Sequence, residues 1–214
     1  MPERRLLKIK VCGMKEAGNI EGVGHLNPDF MGFIFYDRSP RNAIGMPVEA
    51  LDNFSEEIRK VGVFVDSNPD YIEEIAGRYG IDALQLHGNE SPELCGLLKD
   101  KGFFVIKAFG IEAAGVSIDE EIIKPYEGKI DMVLFDTKTL ARGGSGKKFD
   151  WKALDNYSLQ IPFLLSGGID ICDADAIRGL TNPFLAGIDV NSRFELSPGI
   201  KDVEKLDEFI KRIG

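Results

Sequence analysis

The residues able to move a proton or hold an anion each follow a short apolar run. Asp136 ends the run Met132 to Phe135 and leads into Ala141-Arg142-Gly143-Gly144-Ser145-Gly146-Lys147-Lys148. A carboxylate where a buried strand meets a loop is half out of water yet open to a ligand, an environment that tunes a proton donor. The glycines would let the backbone fold over that ligand. Cys12 follows Leu7 to Val11 and reads either as an inert small hydrophobe or, at the mouth beside a lysine, as a catalytic cysteine. Alternation along a strand places Lys10 on the same side as Cys12, and a buried lysine needs a partner. Asp189, near the end of the last apolar run, is the expected one.

Other junctions carry recognition chemistry. Tyr36-Asp37-Arg38-Ser39-Pro40-Arg41 offers two guanidinium groups to a carboxylate or phosphate, or is simply a solvated loop. Gln85-Leu86-His87-Gly88 turns Gln85 and His87 inward; the histidine reads equally as a substrate contact or as a neutral hydrogen-bonded side chain. Lys107 is either a Schiff-base lysine or a paired structural one. Ser166-Gly167-Gly168 and Asn191-Ser192-Arg193 would hold a phosphate through backbone N–H groups and the start of a short helix. The Gly143 to Lys148 run is not a nucleotide loop, since Ala141 stands where the first glycine is needed and Lys148 where Ser or Thr is needed. His25 and His87 lie far apart, and no metal-ligand spacing is present.

The elements that must position these groups alternate. Short apolar runs at Leu7 to Val11, Phe30 to Phe35, Val61 to Val65, Ala83 to Leu86, Phe104 to Ala108, Met132 to Phe135, Pro162 to Leu165 and Leu185 to Val190 read as parallel strands. Helical segments are expected at Lys15 to Leu26, Pro47 to Lys60, Asp70 to Tyr79, Pro92 to Lys101, Ser117 to Tyr126, Asp150 to Tyr157, Cys172 to Gly179 and Ile200 to Ile213. Gly18, Gly22 and Gly24 weaken the first of them, whereas Asn68-Pro69 and Ser91-Pro92 are strong helix starts. The alternation suggests a single-domain α/β (β/α)8 barrel over residues 1–214, with an open doubly wound sheet as its rival. Candidate residues after many strands, rather than at one switch point, favour the barrel.

Composition bounds the partners. With 214 residues and 43% hydrophobic content the chain can bury a sizeable core. A net charge of −9, from 26 basic and 35 acidic residues, argues against a nucleic-acid partner. Cys12, Cys95 and Cys172 are widely spaced and read as free thiols, which together with the lack of a signal-like or membrane-spanning run suggests a cytoplasmic protein.

Taken together, Lys10-Val11-Cys12-Gly13, Gly32-Phe33-Ile34-Phe35-Tyr36, Ser39-Pro40-Arg41, Leu84-Gln85-Leu86-His87-Gly88, Phe135-Asp136 with Gly143 to Lys147, Ser166-Gly167-Gly168 and Pro198-Gly199-Ile200-Lys201-Asp202 resemble, in order, the phosphoribosylanthranilate isomerases. The resemblance implies a cofactor-free, metal-free Amadori rearrangement of a small phosphosugar in tryptophan biosynthesis, by a monomer or homodimer. It implies Cys12 as base, Asp136 as acid, Arg41 as partner of the anthranilate carboxylate, His87 and Asp189 as substrate contacts, and Gly144, Gly146, Gly167, Gly168, Asn191, Ser192 and Arg193 around the phosphate. Asn191-Ser192-Arg193 departs from the family's usual Ser-Ser-Gly, and Met14-Lys15 from its frequent Ile-Thr. A related phosphosugar barrel enzyme, such as an indole-glycerol phosphate synthase, and a non-catalytic phosphosugar-binding protein are the alternatives.

Overall fold

The computed structural model describes residues 7–51, 55–112, 118–138 and 148–214. Eight parallel strands form a closed barrel: β1 Lys8–Cys12, β2 Phe30–Ile34, β3 Arg59–Phe64, β4 Ala83–Leu86, β5 Phe104–Glu112, β6 Met132–Lys138, β7 Phe163–Leu165 and β8 Leu185–Val190. Pairing of β8 with β1 removes the two free edges that a doubly wound sheet would keep. The strands read as apolar runs because both of their faces are buried. Phe30, Val61, Ala83, Ile106, Leu134 and Leu164 fill the barrel interior. Val11, Met31, Phe64, Leu84, Phe135 and Ile188 point outward, into the layer beneath the crossovers.

Among the described residues four crossovers contain an α-helix, α1 Ala17–Gly24, α2 Pro69–Tyr79, α3 Pro92–Asp100 and α4 Ala174–Arg178, and α5 Val203–Ile213 follows the last strand. α2 and α3 begin as expected, with the Asn68 and Ser91 side chains accepting hydrogen bonds from the N–H groups of Asp70 and Leu94 at 2.9 and 3.3 Å. α1 is short, as its glycines foreshadow. The α-helices expected from Pro47, Ser117 and Asp150 are corrected: Val48–Leu51, Glu120–Ile122, Lys124–Tyr126 and Trp151–Asn156 are 3-10 turns. The first is curtailed because β3 already starts at Arg59 to pair with Phe30. In the second, Pro125 has no N–H to donate. In the third, Tyr157 leaves the turn so that its hydroxyl can donate to the Ile161 carbonyl at 3.0 Å.

Two further departures bear on the site. β5 and β6 stay paired as far as Glu112 and Lys138, so Asp136 lies within a strand rather than just past its end. The last pair on the other side of β6 is Phe135 with Leu165, which frees Asp136 on its β7 flank. After β8, residues Glu195–Ser197 (β9) and Ile200–Lys201 (β10) form an antiparallel hairpin that had not been foreseen.

Polar side chains interrupt the apolar interior where β1 meets β8. Lys10 is fully buried, pairs in register with Asp189, and its Nζ lies 2.8 Å from Asp189 Oδ1. Asp189 Oδ2 accepts from the Ser166 hydroxyl at 3.2 Å. Burial alone would lower the lysine's pKa, but Asp189 and then Cys12 outweigh it and hold the ammonium above its ordinary value. Lys107 is satisfied in the same manner by Glu90 at 3.1 Å and by the carbonyls of Leu86 and Gly88, which makes it a paired structural lysine. Lys10→Met would strand the Asp189 carboxylate in the interior. It should cost roughly 3–5 kcal/mol, measured as a lower urea midpoint, and a loss below about 1 kcal/mol would mean that the pair does not hold the seam.

Candidate active site

The site grows from the end of β1. Cys12 is buried and shares the inward side of the strand with Lys10; a Cβ placed on Gly32 of β2 would lie 2.9 Å from the Cys12 sulfur and 3.2 Å from Lys10 Nζ. Burial pushes the Cys12 thiol above its ordinary pKa, Asp189 adds to the rise, and Lys10 and Lys201 pull against it. The neutral thiol is therefore the resting form at neutral pH.

The next residue, Gly13, takes a left-handed backbone with φ of +81°. Its missing side chain is also used for space: a Cβ there would sit 2.7 Å from Arg41 Cδ and 2.8 Å from Asn191 Oδ1. Arg41 thus lies across the peptide beside Cys12. It is buried, not solvated, and its guanidinium grips an internal carboxylate: Nε donates to Glu195 Oε1 and Oε2 at 2.9 and 3.0 Å, and Nη2 to Oε2 at 2.6 Å. Lys201 Nζ reaches Glu195 Oε1 and Asn191 Oδ1, each at 2.7 Å. Glu195 and Lys201 carry no role in the sequence reading; the signals were an acidic residue on the loop after β8, six positions beyond Asp189, and the place of Lys201 in the Pro198 to Asp202 motif.

A second group forms across β4 and β6. Gln85 Nε2 lies 2.9 Å from His87 Nδ1, and His87 Nε2 lies 3.4 Å from Asp136 Oδ2. With the Gln85 amide donating to Nδ1, a neutral imidazole would carry its hydrogen on Nε2, the nitrogen nearer the carboxylate. The Thr137 backbone N–H donates to Asp136 Oδ1 at 2.8 Å, and Oδ2 lies beside the His87 ring. The loop after β7 presses on the same spot. Gly167 and Gly168 both have positive φ, and a Cβ on Gly167 would fall 2.3 Å from Thr137 Oγ1 and 3.1 Å from Asp136 Oδ1.

The remaining expected residues divide. Ser192 and Arg193 lie in the 3-10 turn Ser192–Phe194 that follows β8. Arg193 is exposed, and its carbonyl accepts from Lys205 Nζ at 2.7 Å. Asn191 belongs to the Lys201 cluster, and Asp189 to the Lys10 pair. Gly144 and Gly146 lie outside the described residues. Among the described residues no group of three or more His, Cys, Asp or Glu is placed to hold a metal ion, and no helix is long and apolar enough to cross a membrane.

A closed eight-stranded parallel barrel that gathers a thiol, a carboxyl group and a buried arginine toward the carboxyl ends of its strands has the architecture of a (β/α)8-barrel enzyme. A family model described as N-(5'phosphoribosyl)anthranilate (PRA) isomerase matches residues 9–212, so the chain belongs to that family. A Parabacteroides distasonis protein named N-(5'-phosphoribosyl)anthranilate isomerase is 49% identical over 207 residues, covering 96% of this chain and 92% of its own. Its Phocaeicola vulgatus namesake is 39% identical over 205 residues, with 96% and 97% covered. Among solved structures, the phosphoribosyl anthranilate isomerase of Thermus thermophilus superposes with a TM-score of 0.81 at 25% identity, covering 97% of this chain and 98% of that one. A phosphoribosyl anthranilate isomerase in complex with reduced 1-(o-carboxyphenylamino)-1-deoxyribulose 5-phosphate superposes at 0.75 and 27% identity, with the same coverage.

Gly13→Ala tests the packing beside the thiol. The added methyl meets Arg41 and Asn191 and must also adopt a left-handed backbone, so stability should fall by about 1–3 kcal/mol and affinity for a carboxylate-bearing ligand should fall with it. Unchanged affinity in titration calorimetry would separate Arg41 from the site.

Proposed function

We propose that Cys12 is the general base and Asp136 the general acid of the family's reaction, the conversion of N-(5-phosphoribosyl)anthranilate to 1-(2-carboxyphenylamino)-1-deoxyribulose 5-phosphate in tryptophan biosynthesis. The observation that carries the assignment is the pairing of environments: a thiol flanked by cations on β1, and a carboxyl whose two oxygens face the Thr137 N–H and His87 on β6. Strands one and six lie three apart around the closed barrel, so the two groups can address one sugar from different sides.

In the first step Asp136, protonated, gives its proton to the ribose ring oxygen as the bond from that oxygen to the anomeric carbon breaks and an iminium forms. The Asp136 carboxylate left behind meets the Thr137 N–H, a donor already in place where charge develops, with the His87 ring beside its other oxygen. Cys12, as thiolate, then removes the proton from the neighbouring ribose carbon, and the electron pair of that C–H bond becomes the carbon–carbon double bond of an enolamine. Ketonisation moves a proton to the former anomeric carbon and releases one from the adjacent hydroxyl. Atoms and electrons balance without a redox partner, and proton transfer suffices.

Around this pair, Arg41 would receive the anthranilate carboxylate, and His87 and Asp189 would contact the ligand. Gly144, Gly146, Gly167, Gly168, Asn191, Ser192 and Arg193 would surround the phosphate. The whole chain would act as one barrel domain. Its free cysteines support a reducing, cytoplasmic setting. A monomer and a homodimer are both compatible with the family, since one similar structure is of monomers generated from a dimeric Thermotoga maritima enzyme.

Incubation with freshly made phosphoribosylanthranilate should quench its fluorescence. Cys12→Ser and Asp136→Asn should each lower kcat by at least about a hundredfold with a smaller change in affinity; turnover within a few-fold of the parent by either would sink that residue's role. The pH profile has a definite shape. The active form holds one proton between the two groups, on Asp136 and off Cys12, so kcat/KM should be level through neutrality. Before turnover that proton rests on the Cys12 thiol, so activity should fall at high pH only when the thiol loses it to solvent. Because burial pushes this thiol up, the alkaline limb should lie above the ordinary thiol value of about 8.5, and a limb starting well below it would contradict the assignment.

A further inference from the structure

Arg41 meets any ligand as a group whose orientation is already set. A guanidinium presents two forked edges, one through Nε and Nη2 and the other through Nη1 and Nη2. Glu195 fills the first with three contacts between 2.6 and 3.0 Å. Among the described residues Nη1 has no hydrogen-bond partner, and the arginine's stem rests on Gly13 next to Cys12. Resting on the proposed role of Arg41 in carboxylate recognition, we propose that Glu195 is a positioning residue: it holds the Nε edge so that the Nη1 edge meets the substrate's aromatic carboxylate. Glu195 thereby sets the preference for a carboxylate-bearing ligand.

Two observations favour a fixed brace over an internal competitor that must be expelled. First, Glu195 is anchored independently of Arg41, accepting from Lys201 Nζ at 2.7 Å and from the Gly199 N–H at 3.1 Å, while Asn191 holds Lys201 in turn. Second, Arg41 and Lys201 converge on Glu195: burial lowers the Lys201 pKa, and Glu195 opposes that fall, so the carboxylate keeps the lysine charged beside the arginine. One positive charge is left for a ligand, whereas without Glu195 two buried cations would repel each other. Burial pushes the Glu195 carboxyl up, but Arg41 and Lys201 outweigh it and hold the group below the ordinary carboxylate range, so it is ionised at neutral pH.

The test compares two non-reacting ligands by titration calorimetry on the full chain: reduced 1-(o-carboxyphenylamino)-1-deoxyribulose 5-phosphate and the same compound lacking the ring carboxylate. The ratio of their dissociation constants is measured for the parent, Arg41→Ala, Glu195→Gln and the double variant. Glu195→Gln should reduce the parent's preference by about tenfold or more while barely altering affinity for the carboxylate-free compound. In the Arg41→Ala background it should change nothing further. Glu195→Asp, which keeps the charge but shortens its reach, should be intermediate and serves if the glutamine variant does not fold. A preference retained or increased in Glu195→Gln, with Arg41→Ala abolishing it, overturns the brace and leaves the role of Arg41 standing. A preference that survives Arg41→Ala removes both.

Discussion

The rest of the site depends on one ion pair at the seam of the barrel. Lys10 and Asp189 face each other in register across the junction of the first and last strands, 2.8 Å apart and out of reach of water. Neither charge is tolerable there alone, so the pair penalises any register that separates its members. A slip of one residue would also turn Cys12 out of the barrel, because side chains alternate along a strand. The contact that closes the sheet therefore fixes the direction of the thiol and surrounds it with charge.

Charge at the mouth runs against that of the molecule. The chain as a whole carries −9, yet the seam and the loops beside it gather Lys10, Arg41 and Lys201 against Asp189 and Glu195. Three cations and two anions leave one positive charge. A ligand with two anionic groups, phosphate at one end and carboxylate at the other, would be repelled by the average surface and attracted by this place. Low dielectric strengthens that local field, whereas the dispersed acidic surface is screened within about a Debye length.

The parts of this arrangement that follow local rules were legible in the sequence. Strand–helix alternation pointed to the barrel, the two-residue side-chain period put Lys10 with Cys12 and Gln85 with His87, and the cost of an unpaired interior lysine pointed to Asp189. The 3-10 crossovers were not legible, because apolar spacing reports which residues are buried and not how tightly the backbone winds; Trp151–Asn156 buries Ala153 and Leu154 in either form. The position of Asp136 inside β6 depends on how far β5 continues beside it, which is a property of two strands and not of one. Arg41 and Glu195 stand 154 positions apart. Their pairing has no local signature, so an arginine that reads equally as a solvated loop residue proves to be held by an internal carboxylate.

The separation in sequence between the groups around Cys12 sets an order of events during synthesis. The thiol emerges well before Asp189, Asn191, Glu195 and Lys201, which come from the last strand and the hairpin after it. Until that C-terminal portion is made, Lys10 has no counter-charge and β1 keeps an unpaired edge. A growing chain thus holds one of the proposed catalytic side chains for most of its elongation without the surroundings that give it chemistry. Contacts of such long range are slow to form, and the site should be among the last features to mature. Burial of Cys12 therefore reports that the first and last strands have met.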